Sequence, residues 1–210
     1  MVEVKICGIT DKESAKVALE AGASYIGFIF FSRSPRNITP ALASEIANSV
    51  SSIKKVAVIV DASNEEIENI LKDFSPNYLQ LHGSESPKRV KEIKEKFSLP
   101  VIKAFSVSSG DDIAASGRYE GIADMFLFDA KAPDNMVDAL PGGNGVSFNW
   151  ALLKSKNFDT DWMLSGGLNA SNIKEAIDIS GAKIIDASSS LEILPGKKSP
   201  ELIKEFLKAI

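Results

Sequence analysis

Eight short runs rich in β-branched and aromatic residues punctuate this chain of 210 residues, each followed by an amphipathic segment. The runs are residues 2–6, 25–30, 55–60, 78–81, 101–105, 125–128, 162–164 and 184–186. Stretches such as Val56-Ala57-Val58-Ile59-Val60 are apolar without alternation. That pattern suits strands covered on both faces, as in parallel sheets. The intervening segments carry helix-start chemistry. Thr39-Pro40, Ser86-Pro87 and Ser199-Pro200 each pair a capping hydroxyl with a first-turn proline. Ser63-Asn64-Glu65-Glu66 is a capping box, in which hydroxyl and carboxylate satisfy orphan amides reciprocally. Helices are expected over residues 12–21, 40–50, 64–74, 87–97, 111–119, 169–180 and 200–207, with a short one after Phe148.

Eight β/α units without a break in composition predict an α/β fold, a single-domain (β/α)8 (TIM) barrel over residues 1–210. The alternative is an open doubly wound sheet. Against it, no G-x-G-x-x-G follows the first run, and the alternation continues to the C-terminus. Most connections are lean. The exception is residues 130–146, with two Pro and three Gly, a candidate lid after the sixth strand.

Composition narrows the function. A net charge of −4 argues against nucleic acid, whose phosphates need a basic face. One Cys and one His exclude an intramolecular disulfide and a Cys-rich zinc site. No apolar stretch approaches the roughly 20 residues of a membrane span. The N-terminus lacks the pattern of a signal peptide, so a cytoplasmic location is expected.

In such a barrel, ligands sit at the C-terminal ends of the strands. The polar residues expected there are Cys7, Arg33, Arg36, Asp61, His82, Asp129, the Ser165-Gly166-Gly167 turn and residues 186–190. Gly166, Gly167, Ser188 and Ser189 lie in two turns whose amides can converge on an anion, and the first is expected to open a helix. Cys7 and Asp129, from strands one and six, can flank a small substrate as base and acid. From spacing alone, Cys7 reads equally as a buried small side chain. Asp129 reads alternatively as a helix or loop cap, a cap is the favoured reading for Asp61, and His82 reads as a hydrogen-bonded structural residue or a pocket wall rather than a metal ligand.

In order along the chain stand Lys5-Ile6-Cys7-Gly8-Ile9-Thr10, Ser34-Pro35-Arg36, Gln80-Leu81-His82-Gly83, Phe128-Asp129, Gly142-Gly143-Asn144-Gly145, Leu164-Ser165-Gly166-Gly167-Leu168-Asn169 and Asp186-Ala187-Ser188-Ser189. Together these motifs resemble the phosphoribosylanthranilate isomerase family of tryptophan biosynthesis over nearly the whole chain. The resemblance implies an Amadori rearrangement without cofactor or metal, the third step of the tryptophan branch. N-(5-phosphoribosyl)anthranilate becomes 1-(2-carboxyphenylamino)-1-deoxyribulose 5-phosphate. By position it implies Asp129 as general acid, Cys7 as general base and Arg36 as holder of the anthranilate carboxylate. The amides around Gly166, Gly167, Ser188 and Ser189 would take the phosphate. Asp186 would lie near the sugar hydroxyls, and His82 would line the pocket. The partner is then a small phosphosugar, with monomer and homodimer both open.

Three positions depart from the family's usual pattern. Ser190 stands where Gly is usual, which is expected to strain the phosphate turn if that residue needs positive φ. Ser199 replaces a common Asp and keeps a helix cap. Asn144 stands where Thr is usual. Two other readings compete. The related isomerase of histidine biosynthesis looks like a user of two Asp, where this chain has Cys7. A non-catalytic phosphosugar-binding barrel would have no evident reason to keep acid, base and carboxylate clamp together.

Overall fold

In a computed structural model, the strands close into a parallel barrel, β1 to β8 in chain order, with β1 pairing both β2 and β8. The structure describes residues 2–133, 140–154, 156 and 158–210. The strands are β1 (Glu3–Cys7), β2 (Tyr25–Phe30), β3 (Lys54–Ile59), β4 (Tyr78–Leu81), β5 (Val101–Val107), β6 (Met125–Ala130), β7 (Asp161–Leu164) and β8 (Ile184–Ala187). The helices are α1 (Lys12–Glu20), α2 (Pro40–Asn48), α3 (Asn64–Asp73), α4 (Pro87–Phe97), α5 (Gly110–Ala115), α6 (Ala151–Lys154), α7 (Ile173–Ser180) and α8 (Pro200–Lys208). The barrel expected from the alternation is the barrel observed.

Strand residues alternate between two cores. Outward side chains such as Ile6, Phe28, Leu81, Phe126 and Ile185 pack under the helices, against Ala18, Ile46, Ile67, Ile93 and Phe206. Inward ones, among them Tyr25, Val58, Ile102, Leu127 and Met163, fill the barrel, with Cys7 in the same cluster. The capping chemistry works as read. Ser63 Oγ accepts from the Glu66 amide, and Glu66 Oε2 accepts from the Ser63 amide at 2.7 Å. Thr39, Ser86 and Ser199 each cap a helix that begins with proline.

Four differences matter. First, Cys7 and Asp129 lie within strands rather than after them, because the ladders extend through Cys7↔Gly27 and Ser106↔Asp129. Second, the helix expected over 111–119 breaks at Ser116, whose hydroxyl turns back to the Ile113 carbonyl, and finishes as a 3₁₀ turn. Third, α7 starts at Ile173, not Asn169. Asn172 Oδ1 takes the Asn169 amide and Asn169 Oδ1 takes the Ser171 amide, so these side chains hold a turn in place of helix. The Gly166-Gly167 turn therefore does not open directly into a helix. Fourth, the sequence reading missed a small hairpin after β8, formed by β9 (Glu192–Leu194) and β10 (Lys197–Lys198). Among the described residues, no helix is long and apolar enough to cross a membrane.

Candidate active site

A cleft of about 750 Å³, its open mouth included, lies at the C-terminal ends of the strands. Cys7, Arg36, His82, Asp129, Asp186, Gly166, Gly167, Ser188 and Ser189 all line it. The sequence-predicted site residues thus converge. Arg33 is exposed and Asp61 lies outside the lining. Asp61 is structural: its Oδ1 accepts from the Ser84 amide at 2.7 Å, bracing the turn after β4.

Cys7 closes β1 opposite Gly27. A Cβ on Gly27 would sit 2.8 Å from Cys7 Sγ and 3.3 Å from Lys5 Cε, so glycine makes room for both side chains. Lys5, two residues earlier on the same inward face, is fully buried and donates from Nζ to Asp186 Oδ1 at 2.8 Å. Ser165 Oγ approaches the other Asp186 oxygen at 3.3 Å. Burial pushes the Cys7 thiol pKa up. The Lys5 and Lys198 cations oppose this and do not cancel it. Burial alone would lower the Lys5 pKa, but Asp186 and Cys7 together raise it above the usual value. Lys5 is therefore a held cation beside the thiol.

Asp129 is buried in β6, and its Oδ1 accepts from the Ala130 amide at 2.9 Å. Its Oδ2 lies 3.5 Å from His82 Nε2. His82 Nδ1 is 2.8 Å from Nε2 of the fully buried Gln80.

The described part of the expected lid, residues 140–146, lines the cleft; residues 134–139 of that loop lie outside the described residues. Gly142 packs where a Cβ would come 2.5 Å from His82 Nε2 and 2.7 Å from Asp129 Oδ2. A Cβ on Gly143 would come 2.9 Å from Arg36 Nη1. Asn144 ties this loop by donating to the Leu140 carbonyl at 2.8 Å and accepting from its amide at 3.1 Å. A Thr hydroxyl is too short a group to reproduce that two-way amide pairing.

Arg36 is buried and gripped by Glu192 from the hairpin. Glu192 also takes Lys198 Nζ at 2.6 Å, and Lys198 in turn donates to the Ser188 carbonyl at 3.1 Å. Burial pushes the Glu192 carboxyl pKa up, but Arg36 and Lys198 outweigh it and hold the group below its usual range. Two cations and one anion leave this buried cluster with a net positive charge beside the turn after β8. Ser188 Oγ donates to the Cys7 carbonyl at 3.0 Å, joining that turn to β1.

Ser190 carries none of the expected strain. Positive φ among the described non-glycine residues is confined to Asp61 and Ser98. The Ser190 hydroxyl donates instead to the Leu168 carbonyl, linking the turns after β7 and β8. Gly166 and Gly167 do have positive φ, 94° and 61°, and a Cβ on either would meet backbone at under 3 Å.

Sequence reasoning missed Lys5, Gln80, Glu192 and Lys198. A lone Lys inside the apolar strand Val4-Lys5-Ile6 was the available signal for Lys5. Among the described residues, no group of three or more His, Cys, Asp or Glu is placed to hold a metal ion.

Fold and cleft define a (β/α)8-barrel enzyme that works on a small ligand at the strand C-termini. The family model of N-(5'-phosphoribosyl)anthranilate (PRA) isomerase matches residues 4–209. The chain belongs to that family and is an isomerase. A relative from Brucella canis with that name is 50% identical over 210 residues, covering all of this chain and 94% of its own. One from Parvibaculum lavamentivorans is 46% identical, covering 99% and 97%. A crystal structure of phosphoribosyl anthranilate isomerase from Thermotoga maritima superposes with a TM-score of 0.88 at 35% identity, covering 100% and 98%. A further solved isomerase, in complex with reduced 1-(o-carboxyphenylamino)-1-deoxyribulose 5-phosphate, gives 0.84 at 34%, again covering 100% and 98%.

Proposed function

We propose that this protein converts N-(5-phosphoribosyl)anthranilate to 1-(2-carboxyphenylamino)-1-deoxyribulose 5-phosphate, the third step of the tryptophan branch, with Asp129 as acid and Cys7 as base. Asp129 protonates the furanose ring oxygen, and the C1–O bond breaks to give a Schiff base. Cys7 takes the C2 proton, giving an enolamine that tautomerises to the ketone. Phosphate is held by amides around Gly166, Gly167, Ser188 and Ser189. The anthranilate carboxylate meets Arg36, and the sugar hydroxyls lie near Asp186. Anchoring both anionic ends fixes the reacting carbons between acid and base.

The observation that carries this reading is the convergence of Cys7 and Asp129 on one cleft, each with a polar neighbour: Lys5 for the thiol, His82 for the carboxyl. The test follows loss of anthranilate fluorescence from freshly generated substrate, with wild type beside Cys7→Ser. Fast loss in wild type and near-abolished loss in the variant is expected. Fast loss in both would remove Cys7 as the base, and no loss in wild type would overturn the activity.

A further inference from the structure

The Gln80–His82–Asp129 array contains two orphaned polar atoms. Gln80 Oε1 and His82 Nε2 are both buried without a hydrogen-bond partner. Buried polar groups are rarely left so, and each exception calls for an explanation, a catalytic role among them. The single histidine of the chain stands between a fully buried amide and a buried carboxyl.

The proton arrangement follows from the contacts. Gln80 Nε2 can only donate, so Nδ1 of His82 at 2.8 Å must accept. The neutral ring then carries its proton on Nε2, the nitrogen that lies 3.5 Å from Asp129 Oδ2. That is too long for an ordinary hydrogen bond. Asp129 Oδ1 is already taken by the Ala130 amide. A proton on Asp129 therefore cannot point at His82, which offers no lone pair there, and is directed into the cleft. Gly142, lacking a Cβ, lies against both atoms and helps close this corner from water.

Resting on the reading of Asp129 as the acid, we infer that His82 is a positioning residue, held by Gln80 as the Nε2–H tautomer, whose N–H closes on Asp129 Oδ2 as the proton leaves for the substrate. The contact is weak while Asp129 is neutral and strong once it is a carboxylate. An interaction that strengthens in this way accelerates the step, where one of constant strength would not. Gln80 acts one residue further back, by excluding the Nδ1–H form.

One histidine makes the test unambiguous. In protein labelled with ¹⁵N-histidine, nitrogen–carbon-bound-proton couplings report which ring nitrogen carries the proton. Wild type is expected to show Nε2–H. Gln80→Glu, whose carboxylate can only accept, is expected to move the proton to Nδ1. It should lower kcat about 10- to 100-fold, the range for a bond to a charged group, with KM nearly unchanged. Gln80→Met keeps the question answerable should the Glu variant not fold: a mixed tautomer population with an intermediate kcat is expected. In an Asp129→Asn background, neither change should lower kcat further. An Nδ1–H wild type, or a Gln80→Glu protein that shifts the proton without loss of kcat, overturns this inference while leaving the acid in place. Near-wild-type turnover of Asp129→Asn alone overturns the acid and this inference with it.

Discussion

Glu192 grips Arg36 with both carboxylate oxygens, taking Nε at 2.7 Å and Nη2 at 3.0 Å. The side-on edge of the guanidinium fork is thus already used within the protein. Nη1, beside Gly143, is the nitrogen left facing the loop after β6. A substrate carboxylate would meet the end of the guanidinium, and Glu192 sets its orientation. Glu192→Gln is expected to raise KM about tenfold with a smaller change in kcat, because one charge-assisted bond of the clamp is weakened. Arg36→Met is expected to raise KM further. Steady-state kinetics on both decide it, and unchanged KM values would take this pair out of substrate binding.

The same carboxyl gives a pH signature. Arg36 and Lys198 outweigh burial and hold the Glu192 pKa below its unfolded value near 4.3. The stabilisation it contributes is present above that value and is lost as pH falls through its lower folded value. Acid unfolding of Glu192→Gln should therefore depend less steeply on pH below about 4.5 than that of wild type. Circular dichroism across an acid titration reads this, and parallel curves would contradict it.

Cys7 is the one thiol of the chain, so alkylation reports it alone. Burial raises its pKa, so at neutral pH little thiolate is present in the free enzyme. The rate of modification by iodoacetamide is expected to keep climbing beyond the ordinary thiol value near 8.5. Lys5→Met should push the climb still higher, since Lys5 is a cation opposing that rise. It should also leave Asp186 buried without its ion-pair partner, at a cost of about 3–5 kcal/mol. A modification profile centred below 8 in wild type would show that the thiol is activated before substrate binds.

Much of this was legible in the chain. Continuous apolar, β-branched runs announce the strands, and Ser-Pro and Thr-Pro pairs announce the helix starts, because those signals are local. The convergence of Cys7, Asp129 and Asp186 followed from the barrel rule for strand C-termini. Contacts that depend on long-range geometry were not legible. The bond between Lys5 and Asp186 spans nearly the whole sequence, and that between Arg36 and Glu192 spans most of it. The hairpin holding Glu192 is short and lacks alternation, so no periodic pattern marks it. The delayed start of α7 arises from Asn169 and Asn172 side chains competing for backbone amides, a contest that composition alone does not decide.

Ser190 tests how the turns after β7 and β8 are tied. Its hydroxyl bridges to the Leu168 carbonyl, and its backbone needs no glycine. Ser190→Gly should cost about 1 kcal/mol, a fall in Tm of about 2–4 °C for a chain of this length. Inhibition by a phosphate-bearing product analogue should weaken only slightly, since the turn amides remain. A rise in Tm would show that the bridge is not a net stabiliser.

The turn that carries His82 rests on a buried ion pair. Lys103 Nζ donates to Glu85 Oε2 at 2.9 Å and to the Gly83, Ala104 and Leu81 carbonyls at 2.7, 3.0 and 3.2 Å. Glu85 Oε1 accepts from the Asp61 amide at 2.9 Å, and the Gly83 amide reaches the same carboxylate at 3.1 Å. One ammonium and one carboxylate thus satisfy much of the backbone of a turn at the edge of the core. Lys103→Met leaves the carboxylate and three carbonyls without this donor. It should destabilise by about 3–5 kcal/mol, lowering Tm by roughly 6–20 °C. Adding Glu85→Gln should cost much less than the sum of the two single changes, because the second removes the charge that the first left buried. Thermal and urea unfolding of both single variants and the double variant measure the coupling. Additive losses would mean that each residue braces the turn independently of the other.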